Sequence, residues 1–250
     1  MNEIWISAAA LCGSTIIGAC IGFAVKKVPH KWSDIIMGYC AGIMLAAATL
    51  GLIVPAMEGA GTEGWWLILL GVMAGAIFLN VLDLVTPHLH NITGMDPEEH
   101  KSNASLNKVM LFVMAIAIHK LPEGLAAGVG FNSDDVSNAL SVSLGLSIQN
   151  VPEAMVIIAP LLLAGVSRLR TVMIALFIGL LEIVGVWCGY AVGSLSEVML
   201  PVMLAFAGGS MLFVVSDEMI PETHSHGFHK QATYALLLGF LTLVFIEHLL

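Results

Sequence analysis

Eight long apolar segments, separated by charged or turn-rich breaks, divide this 250-residue chain and limit how it can fold. About 20 consecutive apolar residues are enough for one helix to cross a lipid bilayer. We therefore predict an all-α polytopic membrane protein, in which residues 1–250 form a single transmembrane domain of eight helices. The predicted spans are 4–25, 35–57, 65–86, 108–129, 136–163, 171–194, 198–220 and 233–250.

The composition excludes several other classes of protein. A content of 58% apolar and 11% charged residues is far from that of a soluble domain. The net charge of -9 and the lack of any Lys or Arg run argue against nucleic-acid binding. The cysteines lie in apolar stretches without CxxC spacing, which predicts buried, unpaired thiols and no disulfide framework. They are Cys12, Cys20, Cys40 and Cys188.

The positive charges predict the orientation of the helices, because Lys and Arg collect in cytoplasmic loops. Eight of the nine basic residues fall in alternate loops, and the other loops and both termini have none. The eight are Lys26, Lys27, Lys31, Lys101, Lys108, Arg168, Arg170 and Lys230. Both termini are therefore predicted to face away from the cytoplasm, in a multi-pass protein of the plasma membrane.

The ninth basic residue lies inside a span, together with other polar side chains near the same depth. A charge at the bilayer centre costs at least about 2.5–3.5 kcal/mol, so such residues are candidates for a function. Span four contains His119, Lys120 and Glu123 in HKLPEG, span five contains Gln149, Asn150 and Glu153 in QNVPEA, and span six contains Glu182. Residues four apart share a helix face, which predicts that the three helices present these groups to one another.

The two Pro-Glu motifs repeat the pattern polar-polar-x-Pro-Glu at an offset of 30 residues, on helices of opposite direction. This predicts a bundle with an inverted repeat. Each proline removes a backbone donor, and broken helices mark midplane sites in transporters built from inverted repeats. The alternative interpretation is that Pro and Glu only kink and stabilise the bundle.

One imidazole, several carboxylates and a side-chain amide form a mixed nitrogen and oxygen donor set, which suits a divalent ion such as Zn²⁺. Charge counting favours the same interpretation. Three glutamates and one lysine leave two negative charges, which one divalent cation neutralises.

At these residues the chain resembles the ZIP family of divalent metal transporters, in its GufA-like branch. That family has eight helices, outward-facing termini, an HNxPEG motif in helix four and a second PE motif in helix five. The resemblance implies a primary metal site of His119, Glu123, Gln149 and Glu153, with Met44 as a further ligand. Asn150 and Glu182 match residues that complete a second, adjacent metal site.

The sequence departs from this pattern at Lys120, where the family motif has Asn. An ammonium cannot ligate a cation and would form a salt bridge with Glu182, Glu153 or Glu123. We therefore expect one metal ion, with Lys120 as a substitute for the second.

A further group of acidic residues and histidines lies near the predicted inner ends of helices three and seven. The resemblance associates both stretches with metal at the cytoplasmic exit, whereas solvated residues or a cytosolic pH sensor are the alternatives. The candidates are Asp83, His88, His90, Asp217, Glu218, Glu222, His224 and His226.

The predicted function is transport of Zn²⁺, with Cd²⁺, Mn²⁺ and Fe²⁺ as further candidates, towards the cytoplasm and without an organic cofactor. An intramembrane metal-dependent hydrolase is the alternative, but it needs an open water position and a general base, and the chain has no HExxH motif. The partners predicted are divalent metal ions and the lipid bilayer. The sequence leaves the oligomeric state open, with a homodimer as one alternative, and also leaves open channel against carrier and proton coupling.

Overall fold

The computed structural model describes residues 2–25, 28–85, 119–133, 135–163, 166–196 and 199–249, and throughout these ranges the regular structure is helical. The helices are α1 (Asn2–Val25), α2 (His30–Ala46), α3 (Val54–Ala60), α4 (Trp65–Val85), α5 (119–130), α6 (Val136–Leu163), α7 (Arg168–Gly193), α8 (Met199–Val214), α9 (Ile220–His224) and α10 (His229–Leu249).

Seven stretches of the described chain are long and apolar enough to cross a membrane, which confirms the all-α polytopic fold. They agree with seven of the eight predicted spans, and α5 corresponds to the second half of predicted span 108–129, whose first half lies outside the described residues. The structural helices begin earlier than predicted in places because polar residues continue them beyond the apolar run. At α7, for example, the Ser167 hydroxyl caps the helix by accepting from the Arg170 N–H at 3.4 Å. The inverted repeat and the location of the termini stay predictions.

Two of the spans contain a π-helical segment. Residues Ala47–Ile53 join α2 to α3, and Val215–Met219 join α8 to α9. Each segment is followed within two residues by a proline, Pro55 or Pro221, which cannot donate to the preceding turn. The wider turn shifts the register of the helix and changes which side chains face the bundle interior.

The helices pack as two groups. The first group consists of α1, α5, α6 and α7, and the second group consists of α2, α3, α4, α8, α9 and α10. Within the first group, a Cβ added at Gly18 would collide with the Val151 carbonyl on α6. One added at Gly185 on α7 would lie 2.6 Å from the Leu121 carbonyl oxygen and 3.0 Å from the Gly124 Cα on α5. Glycines therefore permit backbone contact between these helices, as the small-xxx-small spacing indicates.

The second group uses the same device. A Cβ at Gly42 on α2 would collide with the Leu236 carbonyl on α10, and one at Gly209 on α8 would collide with Val72 on α4. The α2–α10 and α4–α8 pairs are thus close backbone contacts, and their outer faces expose large apolar side chains such as Leu69, Met73 and Leu241. These exposed faces are suited to lipid.

The prediction for the cysteines is right about pairing and partly wrong about burial. All four are free thiols, but Cys40 alone is fully buried, Cys12 is half-buried, and Cys20 and Cys188 are exposed. An apolar segment does not reveal which of its faces packs against another helix, and a cysteine is tolerated on either face.

Candidate metal site

Lys120 stands at the centre of a buried polar network. Its side chain lies in the first turn of the described part of α5, and the residue is 1% exposed. Its Nζ lies 2.7 Å from Glu123 Oε2, 2.7 Å from Glu153 Oε2 and 2.8 Å from Asn150 Oδ1, so each of the three ammonium protons has an acceptor. Glu182 Oε1 lies 3.5 Å away. The predicted salt bridge of Lys120 is therefore present, with all three proposed carboxylates around one ammonium.

Two side-chain amides extend the hydrogen-bond network around Lys120. Asn150 donates through Nδ2 to Glu182 Oε1 at 2.7 Å while its Oδ1 accepts from Lys120. Gln149 donates through Nε2 to Glu123 Oε1 at 3.3 Å. The Gln149 Oε1 atom is buried and has no hydrogen-bond donor among the described residues. An unpaired buried acceptor of this kind costs about 1–3 kcal/mol, which makes it a candidate ligand atom.

Thr15 on α1 completes the network and was not identified from the sequence. Its Oγ1 donates to Glu182 Oε2 at 2.9 Å, and the residue is 2% exposed. Threonines in membrane helices usually bond to their own backbone, so a single Thr in an apolar span gives no signal of a long-range partner.

The prolines do not break the helices in the way predicted. Helix α6 stays helical from Val136 to Leu163 through Pro152, and α5 stays helical through Pro122. Helix α2 approaches α6 beside this proline, where Cys40 donates through Sγ to the Gln149 carbonyl at 3.5 Å. Met44 lies one turn further along α2 and is 1% exposed, so it is buried on the helix that faces the Gln149 turn.

His119 precedes Lys120 on α5, and its side chain contacts the second helix group. Its Nε2 lies 2.8 Å from Glu218 Oε1, and Glu218 belongs to the π-helical segment after α8. The His119 side chain is 9% exposed and that of Glu218 is 26% exposed. The sequence assigned these two residues to different sites, and the structure brings them into contact.

The remaining exit candidates fall at the same end of the second group. Asp217, Glu222 and His224 are exposed. His224 Nε2 lies 3.5 Å from Thr233 Oγ1 on α10, and His226 contacts Asp34 on α2. Of the candidates on helix three, His88 and His90 lie outside the described residues, and the side chain of Asp83 is outside the described part as well.

Comparison with known proteins decides the family. The family model described as ZIP Zinc transporter matches residues 88–247. The chain is 37% identical to the zinc transporter GufA of Myxococcus xanthus, over 96% of this chain and 96% of that protein. It is 35% identical to the zinc transporter ZIPB of Bordetella bronchiseptica, over 98% of this chain and 82% of that protein. It is 28% identical to the human zinc transporter ZIP11, over 94% and 93%. The chain belongs to the ZIP family.

As a ZIP protein it is a multi-pass protein of the plasma membrane and a divalent metal transporter. In this ZIP protein, three glutamate side chains surround one ammonium in a site that excludes solvent. No three His, Cys, Asp or Glu side chains within the described ranges stand in a geometry that could hold a metal ion. Lys120 Nζ occupies the position between the three carboxylates of the network.

Proposed function

We propose that this protein moves Zn²⁺ towards the cytoplasm through one midplane site built from His119, Glu123, Gln149 and Glu153, with Met44 as a further ligand. The observation that carries the proposal is the way in which Glu123 divides its two carboxylate oxygens between two sides of the network. Glu123 gives Oε2 to Lys120 and turns Oε1 towards Gln149, whose own Oε1 is unpaired. These two oxygens are the donors that a divalent cation would use.

The same division supports a single ion. On the lysine side, Glu123 Oε2, Glu153 Oε2, Asn150 Oδ1 and Glu182 Oε1 are all within 3.5 Å of the ammonium. This is the set that the family resemblance assigns to a second metal ion. A permanent positive charge there neutralises part of the carboxylate charge without requiring a second cation.

The inner route of the ion follows from the contact of His119. With its Nε2 on Glu218, the His119 ring links the midplane site to the acidic end of α8 and α9. Asp217, Glu222, His224 and His226 lie further along the same end, and we propose that they bind the ion on release together with Asp83, His88 and His90. The described carboxylates and imidazoles of this set are more exposed than the residues of the buried network, so a metal ion bound to them can readily exchange these ligands for water.

The test is metal uptake into liposomes that contain the purified protein, for Zn²⁺, Cd²⁺, Mn²⁺ and Fe²⁺, with and without a pH gradient. Glu123→Ala and Glu153→Ala should each nearly abolish uptake while the protein still inserts, because each removes a charged ligand. The matched control is Glu63→Ala, an exposed glutamate in the turn before α4, which should transport as the unmodified protein does.

His119→Ala should weaken Zn²⁺ transport more than Mn²⁺ transport, because it removes the nitrogen donor. Peptide or lipid cleavage measured in the same vesicles tests the hydrolase alternative. Zinc flux near the unmodified rate in either glutamate variant would refute the midplane site.

A further inference from the structure

Helix α2 carries two sulfur-containing side chains beside the proposed metal site. Cys40 and Met44 stand four residues apart on α2, share one helix face and are both buried. The other proposed ligands of the midplane site lie on α5 and α6, in the first helix group. Met44 is therefore the proposed ligand that the second group contributes. The distance between α2 and α6 determines whether Met44 and the first-group ligands can reach the same ion.

A hydrogen bond from Cys40 joins α2 to α6 at the turn that carries Gln149. The Cys40 Sγ donates to the Gln149 carbonyl at 3.5 Å, and both residues are fully buried. The Gln149 side chain is held by the first group, because its Nε2 donates to Glu123 Oε1 at 3.3 Å. Its Oε1 is buried and has no donor among the described residues. Gln149 is thus held by both groups, while its proposed ligand atom stays free.

The neighbouring contact between α2 and α6 is one that can adjust. One turn before Gln149, Gly145 has no side chain, and a Cβ built there would lie 3.4 Å from Ile43 Cγ2. Ile43 is adjacent to Met44, so α2 meets α6 at this turn through a movable side chain and not through its backbone. The hydrogen bond of Cys40 is therefore the contact that sets the local separation of the two helices.

The length of this hydrogen bond depends on the sulfur atom. The thiol bond is 3.5 Å long, whereas a hydroxyl donates to a carbonyl at about 2.7–2.8 Å. Cys40→Ser would therefore let α2 move towards α6 by about 0.7 Å. The ligands of a binding site must be held within about 0.5 Å of the productive geometry. A shift of this size is large enough to change which ions the site accepts.

We propose that Cys40 is a positioning residue for metal selectivity, because its thiol sets the separation of Met44 from Gln149. Cys40 itself binds no ion. Cd²⁺ has a larger ionic radius than Zn²⁺, so the spacing given by the thiol admits Cd²⁺ beside Zn²⁺, and a narrower spacing favours Zn²⁺. The proposal rests on the proposed transport site and adds a determinant of selectivity to it.

The test measures uptake of Zn²⁺ and Cd²⁺ into liposomes by the full-length protein and by Cys40→Ser and Cys40→Ala. Both substitutions remove the large sulfur atom. The ratio of kcat/KM for Cd²⁺ to kcat/KM for Zn²⁺ should fall by about tenfold in each, since a misplacement of about 1 Å can cost about 100-fold. Cys40→Ala adds no buried hydroxyl, so it keeps the test valid if Cys40→Ser folds poorly.

The matched control is Cys20→Ser, which changes an exposed thiol on α1 and should keep the ratio. A merely structural role of Cys40 would lower uptake of both metals equally and leave the ratio as it is in the unmodified protein. An unchanged ratio in the Cys40 variants would therefore overturn the proposal.

The action of Cys40 through Met44 is tested by a double-mutant cycle in detergent, with Zn²⁺ and Cd²⁺ affinities measured by equilibrium dialysis. Cys40→Ser should change the ratio of the two affinities by about tenfold when Met44 is present. In a Met44→Ala background the change should be less than about twofold, because the residue that Cys40 positions is missing. Equal changes in both backgrounds would exclude the positioning role.

Glu123→Ala is measured alongside, so that failure of this proposal and failure of the transport site are distinguished. Normal Zn²⁺ uptake by Glu123→Ala would refute the transport site and this proposal with it. Loss of uptake in Glu123→Ala, together with an unchanged metal ratio in Cys40→Ser and Cys40→Ala, would refute the role of Cys40 alone.

Discussion

The two helix groups share one packing device but have opposite interiors. In both groups, glycines bring backbones into contact, at Gly185 against α5 in the first and at Gly42 against α10 in the second. The first group uses the space between its helices for Lys120 and three glutamates, whereas the described interior of the second is mostly apolar, with residues such as Leu52 and Met211, and its buried carboxylate, Asp34, lies near the start of α2. In lipid the hydrophobic effect does not drive helices to associate, so close backbone contacts supply the packing energy. The first group can therefore hold its helices together although it buries charged side chains.

The contacts between the two groups are of a different kind. A Cβ added at Gly145 on α6 would meet the tip of the Leu243 side chain at 2.5 Å, and one at Gly51 would meet the Val142 side chain. Polar contacts between the groups join His119 to Glu218 and Asn138 Nδ2 to the Gly51 carbonyl at 2.9 Å. The neighbouring side chains that face these two glycines can move, whereas the backbones in contact within a group cannot. Substitutions of glycine should therefore be less costly between the groups than within a group.

The largest effect is expected for Gly185→Leu. Its side chain would have to displace the α5 backbone, which should cost about 3 kcal/mol or more and prevent normal folding. Gly145→Ala, where only the Leu243 side chain must move, should cost about 1 kcal/mol. Thermal unfolding in detergent measures both. Gly13→Leu is the control, because nothing lies within 4 Å of its added Cβ. Equal losses at Gly185 and Gly13 would show that the backbone contact at Gly185 does not limit packing, and equal losses at Gly185 and Gly145 would remove the distinction between contacts within a group and contacts between groups.

The second largest effect is expected for replacement of Lys120, the buried positive charge of the first group. Lys120→Asn restores the family motif and leaves the carboxylates without a cation, so stability without metal should fall by about 3–5 kcal/mol. Added Zn²⁺ should recover it, and the midplane ion count should rise from about one to about two. Lys120→Arg keeps the positive charge and should keep a count of one. Two ions in the unmodified core would refute the single-ion proposal, and an unchanged count in Lys120→Asn would show that Lys120 does not replace a metal.

A smaller effect is expected where the groups meet. Glu218→Gln removes the charged partner of His119 and should cost about 1 kcal/mol, because the pair is partly exposed. Zinc uptake should slow several-fold while zinc affinity at the midplane site is kept. Asp217→Asn, next to it and exposed, should slow uptake less than Glu218→Gln does, because Asp217 is only one of several proposed release ligands. If both substitutions slow uptake equally, general negative charge at this end matters and the His119 contact does not.

The smallest effect is expected at Thr15. Thr15→Val keeps the shape of the side chain but removes the hydrogen bond to Glu182, which should lower stability by about 1 kcal/mol. Ser14→Ala is the control, because its Oγ donates at 2.7 Å to the Leu11 carbonyl of its own helix. Differential scanning fluorimetry compares the two. A greater loss from Ser14→Ala than from Thr15→Val would argue against a role of Thr15 in the network.

The amino-acid sequence alone determined the class of the protein, the positions of seven of its spans and which charged residues lie among the apolar segments. The length of each apolar run predicts a membrane span because the hydrocarbon core of a bilayer has a nearly fixed thickness. Charged residues inside the spans are candidate site residues, because a charge within a membrane is costly and such residues usually serve a function. The salt bridge between Lys120 and the glutamates was also predicted from the sequence, because an ammonium inside a span has few partners other than the carboxylates of the neighbouring motifs.

The tertiary structure alone decided which faces meet across distant parts of the chain. Thr15 and Glu182 are 167 residues apart, and Asp34 and His226 are 192 residues apart. Helical periodicity states which residues share a face but not which helix that face contacts, so neither pair could be inferred. The same limit left the burial of Cys20 and Cys188 wrong and placed His119 and Glu218 in separate sites. The packing of backbones at glycines, together with the π-helical shifts in register, determines these partners.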